Sequence, residues 1–235
     1  VYTPGFLPGF NMSVDYWKIS LKDAINAVSG QNIADGCFTG GSLNAQFCEL
    51  LTRNSDPNSL FFGGFNFMKS TDINFAKREA AGVDFSVGYD FSLGDHQFNA
   101  RIAGTRLSKL NDFTNPLDLN DVDNRLEENR NPKLAGNFSL GWQYDELKVS
   151  WRTQYHGKQL LMFARKDTYQ SLYGDAVMMP STLVHNINAS YQLNTELMIY
   201  GGINNLTNEE PFITNYAYPV SARGRSIFLG INYRI

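Results

Sequence analysis

Seven side chains place aromatic and cationic chemistry on two long polar stretches. Phe163, Arg165, Lys166, Tyr169 and Tyr173 lie on one, Tyr216 and Tyr218 on the other. A phenol or phenyl ring with polar neighbours suits stacking against a sugar. Arginine or lysine beside tyrosine suits an anionic chelate, held by charge-assisted hydrogen bonds. These seven are the candidate ligand-binding residues; the competing reading is that they merely pack the loops together. Catalytic chemistry has no comparable cluster. His96, His156 and His185 are scattered, and no serine or carboxylate falls beside them at a nucleophile or metal-ligand spacing. The chain is therefore not expected to be an enzyme, and no catalytic residue, cofactor or metal ligand is assigned. The acidic run Asp118 to Asp123 lacks the glycine and distant glutamate of a calcium loop, so it reads as a solvated loop.

Cys37 and Cys48 lie close together in a segment rich in glycine and asparagine. Two ligands without a nearby histidine are too few for structural zinc. A local disulfide in an oxidising compartment is the stronger reading, with unpaired thiols the alternative. A net charge of −3 gives no basic patch for nucleic acid. No run of apolar residues is long enough for a membrane-spanning helix, which leaves strands that alternate as the one route through lipid. No positively charged start precedes an apolar core, so no signal peptide is read.

The candidate residues need elements to hold them, and the clearest is a hairpin. Leu134, Gly136, Phe138, Leu140, Trp142 and Tyr144 occupy alternate positions, separated by Ala135, Asn137, Ser139, Gly141 and Gln143. Past a turn at Asp145 and Glu146, Leu147, Val149, Trp151, Thr153 and Tyr155 alternate with Lys148, Ser150, Arg152, Gln154 and His156. Side chains of a strand point to opposite faces in turn, so the hairpin has an apolar and a polar face. Ten residues tilted by about 40° rise about 25 Å, the height of a transmembrane barrel's apolar band.

The pattern repeats along the chain. Strands are expected at Phe10 to Tyr16, with an apolar phase shift at Trp17 read as a bulge or an exit from the bilayer, and at about Ile73 to Phe91 and Phe98 to Thr105. Three more follow the hairpin, at Leu183 to Gln192, Leu197 to Ile203 and Ile227 to Ile235. Connections alternate strictly. Turns at 92–96, 144–146 and 193–196 are short; the stretches 23–71, 111–131, 160–180 and 207–222 are long, the first with a short helix expected at Leu43 to Thr52. Eight antiparallel strands with tight turns at one end and long loops at the other predict an outer-membrane β-barrel.

Several segments resemble the C-terminal half of the barrel of TonB-dependent outer-membrane receptors. They are Phe10 to Ile25 (FNMSVDYWKISLKDAI), the paired cysteines before Leu50 to Asn54 (LLTRN), Arg78 to Phe91 (REAAGVDFSVGYDF), Tyr200 to Phe212 (YGGINNLTNEEPF) and Gly224 to Ile235 (GRSIFLGINYRI). They occur in the family's order over nearly the whole chain. The final Ile235 departs from the family's usual terminal aromatic. The resemblance implies the last eight strands of a barrel of about 22, an N-terminal plug domain not present here, and energising through TonB by a region near the N-terminus. It also implies location in the outer membrane of a Gram-negative bacterium, and active uptake of a scarce nutrient: a siderophore, cobalamin or an oligosaccharide. Arg101, Arg152, Gln154 and His156 would line the lumen or touch the plug. The alternative is a self-contained eight-stranded barrel with a structural or adhesive role.

Overall fold

The computed structural model describes residues 1–39, 43–161, 165–212 and 218–234. Eight long strands follow one another: β1 (Phe10–Ala27), β2 (Asp72–Leu93), β3 (His96–Phe113), β4 (Leu134–Tyr144), β5 (Leu147–His156), β6 (Thr182–Gln192), β7 (Leu197–Asn204) and β8 (Ser226–Tyr233). They form one sheet in sequence order, each beside the next, with the two-residue strand Asp123–Asn124 added against β3. The expected strands are all present. Register in the organising hairpin pairs Leu140 with Trp151 and Trp142 with Val149, which keeps the large apolar side chains of both arms on one face. Strand β6 continues that face by setting Ile187 opposite Trp151.

This apolar face is not a core. None of Phe138, Leu140, Trp142, Val149 and Trp151 is buried, and on β8 Ile227, Leu229 and Ile231 are 76, 80 and 66% exposed. A water-soluble sheet of this size would bury one face, because each large apolar side chain gains about 1.5–3 kcal/mol by leaving water. Here the apolar side chains at the alternate positions stay at least partly uncovered along the long strands, apart from Phe75 and Ala81 on β2, which is the surface expected of strands solvated by hydrocarbon. Near the tight turns the face is aromatic: Phe91 stacks on Phe98 at 4.9 Å, and His96 on Tyr144 at 4.5 Å. Such a belt matches an interfacial girdle. His185, expected on the apolar face, lies there against Trp151, its ring nitrogen bonded to Thr153 Oγ1 at 2.8 Å.

The opposite face is polar and internally paired. Ser13 Oγ meets Ser86 Oγ at 2.8 Å, and Thr105 donates to Asp84 at 2.6 Å. Arg101 donates to Asp90 at 2.5 Å, and Asn99 donates to the same carboxylate. Trp17 lies over Gly82, whose missing Cβ would stand 2.8 Å from the indole. Gly82 shares the parity of Asp84 and Ser86. The apolar run that starts at Trp17 therefore begins on the polar side of β1.

The chain divides into two compact units. Residues 1–17, 81–109 and 125–235 form the first; residues 18–80 and 110–124 form the second. The second has a true core of Val28, Ile33, Phe47, Phe75 and Ala76. Helix α1 (Gly30–Thr39) starts where Ser29 Oγ accepts from the Asn32 amide at 3.2 Å, a capping bond that satisfies an otherwise orphaned donor. Helix α2 (Asn44–Glu49) brings the Phe47 ring so close to Gly36 that a Cβ there would lie 2.1 Å from it. Cys37 and Cys48 are joined by a disulfide, with Cα atoms 4.9 Å apart. Helix α1 was not expected, and the helix read at Leu43 to Thr52 is shorter, giving way to a hairpin of Leu51–Arg53 and Phe65–Met68.

Candidate functional site

In the first unit, the segments that follow the strands at their loop end build a small core of their own. Gln159–Leu160 pairs with Met178–Met179, and Leu160, Met179, Val177 and Val220 are buried around it. Helix α3 (Lys166–Tyr173) closes the segment between them. A neighbouring loop, 125–131, is tied to this core by main-chain and side-chain bonds. The Leu160 amide donates to the Glu127 carbonyl at 2.7 Å, and the Arg130 amide donates to Gln159 Oε1 at 2.7 Å. Asn129 donates from its side-chain amide to the Leu161 carbonyl at 3.1 Å. Glu127 and Arg130 both adopt left-handed backbone, φ 64° and 70°, a conformation that costs non-glycine residues energy and persists only where surrounding bonds enforce it.

Charges here are mostly consumed by each other. Lys166 Nζ pairs with Glu127 at 2.5 Å with both side chains largely buried, and Arg125 pairs with the buried Glu128. Of the candidate ligand contacts this removes Lys166 as a free cation: it anchors α3. Arg165, exposed at the start of that helix, accepts from the Tyr169 amide through its carbonyl. Tyr169 and Tyr173 stack with ring centres 6.2 Å apart, Tyr173 facing outward. Tyr218 sits between two elements: its ring meets the His156 imidazole edge-on at 5.7 Å, and the Arg130 guanidinium lies 5.8 Å from its centre. Partial burial pushes the Tyr218 phenol above its ordinary range, while the charge of Arg130 pulls the other way. Phe163 and Tyr216 lie outside the described residues, as does Ile235.

Five of the seven candidates are thus placed, and two groupings emerge from them: the Tyr169–Tyr173 stack on α3, and Tyr218 with His156 and Arg130. Arg130 and Glu127 were not singled out from the sequence. Their local sequence carries no pattern, and only the fold brings loop 125–131 against a segment so far along the chain. Beneath the loops, the polar face carries open concavities of about 540 Å³, lined by Ser13, Asp84, Thr105 and Gln154 among others, and 320 Å³, lined by Asn186, Asn204 and Arg223 among others. A larger one of about 670 Å³ lies at the tight-turn end, between Asp90, Asn99, Lys148, Asn188 and Tyr200. Among the described residues no cluster of metal-ligating side chains occurs, and no helix is long and apolar enough to cross a membrane.

The model of the TonB dependent receptor-like β-barrel family matches residues 2–206. The chain belongs to that family. No curated protein matches its sequence. Its fold is similar to that of several solved receptors and transporters. The ferric enterobactin receptor PfeA of Pseudomonas aeruginosa, in a mutant form, shares 14% identity at a TM-score of 0.57, over 96% of this chain and 29% of its own. FrpB, an iron transporter of Neisseria meningitidis, shares 16% at 0.55, over 99% and 30%. The siderophore receptor PirA of Acinetobacter baumannii shares 17% at 0.51, over 96% and 30%. The chain spans less than a third of the length of each. TonB-dependent receptors are outer-membrane proteins of Gram-negative bacteria, so the uncovered apolar face is the lipid face of a transmembrane barrel wall and the polar face looks into its lumen. The strands do not close on themselves: among the described residues β1 and β8 are not paired with each other.

Proposed function

We propose that the chain is part of the barrel wall of a receptor that takes up an iron chelate across the outer membrane of a Gram-negative bacterium. The observation that carries this reading is the loop-end cluster, where the Tyr169–Tyr173 stack and the Tyr218, Arg130 and His156 grouping stand on a rigid miniature core. Stacked phenols and a guanidinium over a ring suit a ligand with flat rings and negative charge. The names of the similar structures, which speak of ferric enterobactin, siderophores and iron, favour this class over cobalamin or oligosaccharides. Arg165, Tyr169, Tyr173 and Tyr218 make the ligand contacts, joined by Phe163 and Tyr216; Lys166 holds α3 in place. In this reading a plug domain and further strands come from outside these 235 residues, and TonB supplies the energy to move the plug.

The test is growth. A strain lacking the gene is fed a panel of iron chelates, cobalamin and glycans, each as the limiting source. Loss of growth on one group of chelates, restored by the gene and weakened about tenfold in apparent affinity by Tyr169→Ala with Tyr173→Ala, is the expected result. Loss confined to cobalamin or glycans overturns the substrate class, and no loss on any source overturns uptake. The self-contained barrel has no support in the sheet, whose edge strands stay apart among the described residues.

A further inference from the structure

Below the loop-end cluster, the polar face carries charge that the uptake reading leaves unused. That face divides in two. On β2 and β3 it neutralises itself: Asp90 accepts from Arg101 and Asn99, and Asp84 accepts from Thr105. Strands β4 to β8 contain no aspartate or glutamate anywhere along their length. They do contain Lys148 and Arg152, both exposed on the polar face of β5. Neither makes a hydrogen bond or ion pair with its side chain among the described residues. Four residues of strand, about 13 Å, separate them. His156, four residues further along the same face, already belongs to the loop-end cluster through Tyr218. Cations on a wall without carboxylates concentrate anions, and here they run down one strand from the loop end towards the tight turns.

Register builds a surface around Lys148. Gln97, Gln143, Lys148, Ser190 and Tyr200 stand opposite one another in turn from β3 to β7, and Tyr200 faces Gly230 on β8. In the adjoining row Asn188 is opposite Gly202, and Gly202 is opposite Phe228. Both rings lie across a glycine: a Cβ on Gly230 would collide with the Tyr200 ring, and one on Gly202 would stand 2.9 Å from Phe228. Each residue is still 39% exposed, so a face of each ring stays open. Lys148, Asn188, Ser190, Tyr200 and Phe228 all line the cavity of about 670 Å³, a size that suits a small ligand. We propose that this cavity is a second binding site for an anionic, ring-bearing iron chelate, occupied between its release from the loop end and its exit at the tight turns. Arg152 draws the chelate along β5; Lys148 pairs with its charge, and Tyr200 and Phe228 stack on its rings. A site on an exit route must bind strongly enough to be entered and weakly enough to be left. One lysine, a point charge without the bidentate grip of arginine, meets that condition. Such a site presupposes the uptake reading and adds a second station to it.

The test uses the receptor expressed from its own gene in whole cells, and the probe is the iron(III) complex of catechol carrying radioactive iron. Binding is measured on chilled, de-energised cells and uptake on energised ones. Lys148→Gln with Arg152→Gln should leave the apparent Kd within about twofold and lower the uptake rate about tenfold or more, at unchanged receptor level. Arg152→Lys, which keeps both charges, should hold uptake within about threefold. Unchanged uptake in the double variant would overturn the site. So would binding that falls in parallel with uptake, which would place both cations at the loop-end contact. Uptake lost together with new sensitivity to a large antibiotic would assign the cations to holding a plug domain, and would overturn it too. These three outcomes leave the uptake reading standing. An unmodified receptor that binds none of the probe would instead remove that reading for this ligand class, and the second site with it.

Discussion

Lys166 and Glu127 lie 2.5 Å apart with side chains only 17 and 13% exposed. Removing one leaves a mostly buried charge without its partner, at a cost of about 1–3 kcal/mol. Lys166→Ala should therefore loosen α3 and raise amide hydrogen exchange across Lys166–Tyr173 about tenfold or more, with Glu127→Gln milder because its amide oxygen still accepts. Exchange unchanged in both variants would show that the pair does not anchor the helix. Tyr218 makes a different kind of test. Its phenol titrates above the ordinary value of 10.0 because partial burial disfavours the phenolate. A raised folded value means that its contribution to holding the loop is complete below pH 10 and is lost as pH rises through the folded value. Phenolate absorbance at 295 nm, taken as wild type minus Tyr218→Phe, should show a midpoint above that of free tyrosine. A midpoint at or below it would mean that burial of the ring does not outweigh the pull of Arg130.

The strands and the short helix α2 were legible and helices α1 and α3 were not, and the reason is how far each signal extends. Leu134 to His156 alternates over two full arms, and a slip of one residue would turn every side chain to the wrong face, so sequence and register specify each other. Helix α1 has only Ser29 as a start signal and two buried residues, Ile33 and Gly36; its stability comes from packing on Phe47, which lies on another helix. The site is split in the same way. The aromatic and basic types on loops were readable as chemistry, but the meeting of Arg130, His156 and Tyr218 depends on three elements arriving together. Lys166 was readable as a cation and not as one already neutralised. The orientation of the strands carries its own prediction. Leu140 sits mid-strand on the lipid face and its neighbour Ser139 on the polar face. Leu140→Arg should cost about 2–4 kcal/mol, as charged side chains near the middle of a bilayer do, while Ser139→Glu, set between Arg101 and Arg152 on the neighbouring strands, should be nearly neutral. Urea unfolding of the receptor in lipid vesicles separates them, and equal costs would remove the distinction between faces. The disulfide makes a second element-level case. Closing so short a loop is worth about 3 kcal/mol in the chain-entropy model. Maleimide labelling of Cys37 and Cys48 should be blocked until reduction, after which exchange in α1 and α2 should rise; free labelling without reductant would count against the bridge.

At the scale of the molecule, the question is what the two outer strands do. β1 and β8 each present a row of amide and carbonyl groups that no strand among the described residues accepts, apart from a bridge between Tyr2 and Met12 on the β1 side. In water such an edge is solvated, at the risk of aggregation. In hydrocarbon each unsatisfied group costs several kcal/mol, so a row of them along even the eight residues of β8 outweighs the stability of an ordinary domain. The exposed flank of β8 makes the point sharper, because Ile227, Leu229 and Ile231 demand lipid while the backbone beside them forbids an open edge there. Both demands are met together only when each edge finds a strand to pair with, and in the proposed reading those strands come from outside these residues. The 235 residues expressed alone and mixed with lipid should therefore give no folded, SDS-resistant band on an unheated gel, and should aggregate instead. The protein expressed from its own gene should give such a band and lose it on boiling. If the isolated segment folds into a heat-sensitive, SDS-resistant form, then β1 and β8 can find each other in lipid, and the open sheet is one state of a barrel that closes on eight strands.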